Sequence, residues 1–114
     1  MKPNWKVLWE KYPKTWSSLL EFDRSNEIIS SVNLFSTAIT PLLFTFFDKN
    51  DLFIEITIGE KVGQWEFTIY KPNGDDMLAF QCSGGYMDSR EDAEVRSFIR
   101  AFRLLERKIK NQRQ

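Results

Sequence analysis

Three short runs of alternating apolar and polar residues, followed by one long capped amphipathic stretch, limit what this chain can fold into. The runs are Asp51–Ile58, Gln64–Lys71 and Met77–Cys82. A period of two places alternate side chains on opposite faces of a strand. In the first run Leu52, Ile54, Ile56 and Ile58 share one face, and Phe53, Glu55 and Thr57 the other. In the second, Trp65, Phe67 and Ile69 oppose Glu66, Thr68 and Tyr70; in the third, Leu78, Phe80 and Cys82 alternate with Ala79 and Gln81. Pro72-Asn73-Gly74-Asp75 predicts a tight turn, because Asn-Gly accepts the positive φ angles of a short hairpin. Gly59 to Gly63 predicts a second hairpin loop. The expectation is a three-stranded antiparallel meander with one buried face.

The amphipathic stretch begins at Ser89 and predicts a helix to about Lys110. Ser89 is its cap, with Asp92 three residues on in the capping-box position. Glu91, Asp92 and Glu94 fall in the first turns, and Arg107, Lys108 and Lys110 in the last, each sign where the helix dipole favours it. Val95, Phe98, Ile99, Phe102, Leu105 and Ile109 form the apolar stripe, whose natural cover is the apolar face of the sheet.

The N-terminal part, residues 1–50, reads as mainly helical. Trp5, Leu8, Trp9 and Tyr12 fall at helical spacing behind Asn4 as a cap. Pro13 interrupts, and Lys14–Phe22 resumes with Trp16, Leu19 and Leu20 on one side. Residues 24–40 fit a loop, an edge strand or a weak helix. Thr40-Pro41 predicts a further helix start, with Leu42, Leu43, Phe46 and Phe47 leading to Asp48-Lys49-Asn50, although a strand over Leu43–Phe47 fits the same short run. The whole predicts a single α+β domain over residues 1–114: N-terminal helices, a three-stranded sheet over 51–82, and a long helix over 89–110 packed on one sheet face.

A chain of 114 residues can bury a core without staples. It has one cysteine, Cys82, so no internal disulfide, which suits a reducing, cytoplasmic setting. No apolar run approaches the roughly 18 residues of a membrane span, so no membrane contact is expected. Histidine is absent, which removes the commonest general base and metal ligand. No catalytic residue, cofactor site or metal site is therefore expected. Cys82 reads as a strand residue with no histidine to activate it.

The formal net charge of zero conceals a segregation. Residues 25–89 carry three basic and nine acidic groups, whereas residues 90–114 carry eight basic and four acidic. Arg96, Arg100, Arg103 and Arg107 are spaced to fall on one helix face. They would line up over about 16 Å at 1.5 Å rise per residue. Such a row suits successive phosphates or an acidic protein surface, because each guanidinium offers a planar fork of donors. It also suits a plain solvated helix face. The segment holding Trp5, Trp9 and Trp16 fits one wall of the core or an exposed aromatic patch for a partner. The predicted open sheet face offers Glu55, Thr57, Glu66, Thr68, Tyr70 and Gln81, with Phe53 near its edge. Its two glutamates argue against stacking of RNA bases there.

The order helix, three antiparallel strands, helix over residues 41–106 is similar to that of the double-stranded-RNA-binding domain. The local focus is Ser89-Arg90-Glu91-Asp92-Ala93-Glu94. That family grips phosphates with basic residues at this helix start, whereas only Arg90 is basic here. Separately, Phe46-Phe47-Asp48, Ala93-Glu94, Ala101-Phe102 and Leu104-Leu105-Glu106 resemble a pattern in small uncharacterised bacterial proteins from prophages and mobile elements. This resemblance implies an accessory or interaction role. The leading expectation is a non-enzymatic interaction protein with an unknown protein partner. The alternative is a nucleic-acid-binding module using the arginine row, and a homodimer stays among the arrangements the sequence allows.

Overall fold

The structure, a computed structural model, describes residues 8, 10–26, 39–73 and 77–112. Trp5, Trp9, most of the stretch 24–40 and the tip of the Asn73-Gly74-Asp75 turn lie outside the described residues. The described elements run in the order α1 (Pro13–Asn26), α2 (Ile39–Lys49), β1 (Phe53–Ile58), β2 (Trp65–Pro72), β3 (Leu78–Ser83) and α3 (Arg90–Gln112). This is the α+β arrangement that the alternation and the capped stripe require.

Local chemistry sets the helix ends. Pro13 opens α1, where its missing N–H would have had no helical partner, and the Tyr12 carbonyl accepts the first helical bond from Trp16 at 3.0 Å. Helix α2 settles the ambiguity over Leu43–Phe47 in favour of helix. It ends in a Schellman motif: Leu52 N–H reaches back to the Phe47 carbonyl at 2.9 Å and Asp51 N–H to that of Asp48 at 3.1 Å. Asp51 takes the left-handed conformation at φ 62° that this motif demands. Helix α3 starts with Ser89 Oγ accepting the Asp92 N–H at 3.1 Å, the cap expected from the sequence.

The sheet has the order β1-β2-β3, all antiparallel. Helix α3 lies across one face, mainly over β2, and also packs on α1, while α2 lies along β1. The core sits between these layers. Phe46, Phe47, Leu43, Leu19, Ile69 and Phe102 are almost wholly removed from solvent. Ring contacts join the elements: Phe102 meets Trp16 at 6.1 Å, Tyr12 at 6.4 Å and Phe47 at 5.5 Å between centroids.

Three sequence expectations are corrected. Ile99, placed in the apolar stripe, is 38% exposed, and Ala93, Ser97, Ala101 and Glu106 are buried instead. Ile58 lies on the covered side of the sheet, opposite Trp65, yet is exposed at the strand's end. The third concerns β3. Cys82 pairs with Ile69, but the next pair is Tyr70 with Phe80, so Gln81 is an extra residue in a β-bulge. One inserted residue moves everything beyond it to the opposite face. Leu78 and Phe80 therefore leave the Cys82 face and stand on the open side, 54% and 64% exposed.

Beyond β3 the chain continues in the same direction alongside the start of β2. Gly84 N–H donates to the Phe67 carbonyl at 3.2 Å, and Met87 and Trp65 exchange backbone bonds at 2.7 and 2.9 Å. Gly84 passes so close over the buried Phe67 ring that a Cβ there would overlap it, whereas Gly85 has nothing within 4 Å. Gly84→Ala is accordingly expected to cost about 1–3 kcal/mol, the usual penalty of forcing atoms into a packed core. Gly85→Ala should stay within about 0.5 kcal/mol. Urea midpoints compare the two, and equal values would show that the Phe67 ring yields freely.

Candidate functional site

Helix α3 presents the arginine row along the flank of the sheet nearest β3. Arg96, Arg100, Arg103 and Arg107 are all exposed. The acids of the same helix do not neutralise them. Glu94 is taken by Arg90, whose Nε lies 3.0 Å from it, and Glu106 is buried with Lys110 as its ionic neighbour. Among the described residues none of the four arginines forms an ion pair.

Two clefts border the row. One, of about 560 Å³, lies where Arg96, Ile99 and Arg100 face Ser83, Gly84 and Tyr86. The other, of about 650 Å³, holds Lys71, Gln81, Leu104, Arg107 and Lys108, with Asp51 as its acidic member. These linings show that α3 runs antiparallel to β3. Between the clefts, burial pushes the Cys82 thiol above its ordinary pKa, and the Arg100 guanidinium partly opposes that shift. Arg100 itself lines the cleft beside Ser83, the residue after Cys82.

No family model, curated protein or solved structure matches this chain. What the site can do has to be read from its own chemistry. Its cations suit carboxylates or phosphates. Among the described residues, no group of three or more His, Cys, Asp or Glu could hold a metal ion, and no helix is long and apolar enough to cross a membrane.

The structure separates the two surfaces singled out in the sequence. The arginines come together on one flank. Trp16 does not join a surface: it is 4% exposed and stacked on Phe102, so the partner-surface expectation is corrected for this residue. Its indole fills the space between α1 and α3, where the apolar sides of both helices meet. Trp5 and Trp9 fall outside the described residues. Trp65, on β2, is half-buried beneath the Arg90 guanidinium at 5.8 Å.

Sequence reasoning missed a second feature of this edge. Phe53 pairs with Tyr70 and Tyr70 with Phe80, so three aromatic residues cross the open sheet face in one row. Met77 and Leu78 adjoin it, 64% and 54% exposed. Gln81, expected on the open face, lines the cleft beside Leu104 and Arg107. No residue pattern in β3 signals the bulge that causes both changes, since Leu78, Phe80 and Cys82 alternate without a break.

Proposed function

We propose that this chain is a non-enzymatic interaction protein that binds an acidic protein partner through the arginine flank of α3. The observation that carries this reading is a row of four exposed guanidinium groups with no acidic partner among the described residues. Surface arginines on ordinary helices are commonly laced with acids one turn away. Here Glu94 is engaged by Arg90 and Glu106 is buried, and among the described residues none of the four arginines pairs with an acid. Leu104 and Ile99 add apolar surface to the two clefts, which favours a folded or peptide-like partner over a bare polyanion. The absence of histidine from the sequence supports a role without catalysis. An accessory role of prophage or mobile-element origin belongs to the same reading, carried by the resemblance in Phe46-Phe47-Asp48 and Leu104-Leu105-Glu106.

A nucleic-acid partner is the second reading, favoured by the same unneutralised row. Against it stand Asp88, Glu91 and Asp92 at the start of α3, which would repel phosphates there.

Polyglutamate and short DNA and RNA duplexes distinguish the two. Polyglutamate is expected to bind at low salt, with affinity falling as salt is added. Replacing all four arginines with Gln removes about 0.5 kcal/mol per exposed pair, or about 2 kcal/mol and roughly thirtyfold in Kd. The fold should tolerate this change, because all four side chains are exposed and Gln is a good helix former. Retention of duplex but not of polyglutamate would select the second reading, and retention of neither would reject both.

A further inference from the structure

We propose that the free edge of β3 receives an extended strand of the partner whose side chains alternate apolar and acidic. This rests on the acidic-partner reading above and specifies how the partner would be held. In the order β1-β2-β3, β3 is an edge strand, and whereas α2 lies along β1, no described residue pairs with the outer edge of β3.

The backbone there is turned outward in the right places. Antiparallel pairs alternate between those that exchange hydrogen bonds and those that do not. Asn73 N–H donates to the Met77 carbonyl, so Lys71 and Ala79 form the next bonded pair, and Leu78 and Phe80 fall at non-bonded positions. Pro72, which has no N–H, sits opposite Leu78 as that assignment requires. The N–H and C=O groups of Leu78 and Phe80 therefore point away from β2, toward the open edge. Natural edge strands are commonly guarded by charge or proline. Leu78–Ser83, with the sequence Leu-Ala-Phe-Gln-Cys-Ser, contains neither, and its bulge at Gln81, another such guard, lies beyond the outward groups of Leu78 and Phe80.

The two sides of this edge differ in chemistry, and that difference selects the occupant. Residues directly opposite in an antiparallel pair share a face. On the open face an added strand would lie beside the exposed Leu78 and Phe80 and extend the Phe53–Tyr70–Phe80 row, which calls for apolar side chains. On the helix face its alternate residues would look toward Arg96 and Arg100 at one end and Lys71 and Arg107 at the other, which calls for acids. The spacings agree. Alternate residues of a strand are about 6.8 Å apart, and four residues of helix about 6 Å. A second copy of the chain, paired β3 to β3 about a two-fold axis, would instead set two arginine rows against each other on the same side of the sheet.

The test uses three octapeptides: alternating valine and glutamate, the same residues in two blocks, and alternating valine and lysine. Fluorescence anisotropy should show the alternating Val–Glu peptide binding at least about tenfold tighter than the other two, the worth of one or two backbone hydrogen bonds. Hydrogen exchange at the Leu78 and Phe80 amides should slow on binding. Leu78→Pro, which removes an outward N–H and no bond to β2, should weaken binding about tenfold. N-methylation of the peptide at alternate residues should do the same in one register, without altering the protein. Equal binding of alternating and blocked peptides, with no protection at Leu78 and Phe80, would overturn strand addition while leaving the acidic-partner reading intact. Failure of every acidic probe, polyglutamate included, would overturn both. Protection that appears with rising protein concentration alone would assign the edge to a second copy, and protection by an oligonucleotide would assign it to nucleic acid; either result overturns the proposal.

Discussion

Phe102→Ala should destabilise the protein by about 3–5 kcal/mol, the range for deleting a fully buried aromatic ring. Phe102 has no exposed surface, and its ring lies against Tyr12, Trp16 and Phe47. It is the side chain through which the N-terminal segment, α2 and α3 meet. None of these neighbours can swing in to fill the gap without breaking its own ring contacts, so the cavity term should be large. A domain with about 5–15 kcal/mol of total stability would lose a large share of it. Urea unfolding, followed by tryptophan fluorescence, measures the change. Phe80→Ala is the control, because that ring is 64% exposed and its loss should fall within about 0.5 kcal/mol. Similar costs at the two positions would refute the assignment of Phe102 to the core and Phe80 to the surface.

A second large effect is expected at Glu106. This carboxylate is 3% exposed, and its Oε1 accepts the N–H of Thr15 at 2.8 Å. Thr15 is the third residue of α1, where a backbone N–H has no partner within its own helix. Glu106 thus caps the start of a helix about ninety residues away in sequence. The Thr15 hydroxyl returns a bond to the Phe102 carbonyl at 3.2 Å, so two hydrogen bonds tie α1 to α3. The Lys110 ammonium stands 3.8 Å from Oε2, an ionic distance rather than a hydrogen bond, and Oε2 accepts no hydrogen bond.

Glu106→Ala leaves the Thr15 N–H orphaned, at about 1–3 kcal/mol, and removes a negative charge from a helix N-terminus, at about 0.3–2 kcal/mol. The expected loss is about 2–4 kcal/mol. Glu106→Gln keeps an acceptor and should cost about 1 kcal/mol. Lys110→Ala should cost under about 1 kcal/mol, because that side chain is mostly exposed. Chemical denaturation of the three variants ranks them. If Glu106→Ala proved no worse than Lys110→Ala, the long-range cap would be refuted.

Much of the fold was legible in the sequence because it depends on local periodicity. Alternation over Asp51–Ile58 and Gln64–Lys71 marked two strands and their buried faces, and Ile54, Ile56, Phe67 and Ile69 do face α3 and the core. The Ser89 cap, the acidic first turn and the stripe through Phe98, Phe102 and Leu105 marked α3 within a few residues at either end. Less was legible at the candidate site. The spacing of Arg96, Arg100, Arg103 and Arg107 put them on one face, but exposure and freedom from acidic partners depend on what surrounds α3. In the sequence Glu106 is one more charged residue beside that row. Its burial follows from the docking of α1, a contact between residues far apart in the chain, which no local pattern encodes.

The sequence by itself determined the succession of three strands and a closing helix, the α+β class, the cap of α3 and the alignment of its arginines. Each follows from interactions within a few residues. Tertiary structure decided the burial of Trp16, where Glu106 points, and which side of the sheet Leu78 and Phe80 occupy. A single bulged residue, Gln81, exchanges the faces of everything before it in β3, because side chains alternate with a period of two and pairing to β2 sets the register. That shift gives the free edge beside the arginine row its apolar side.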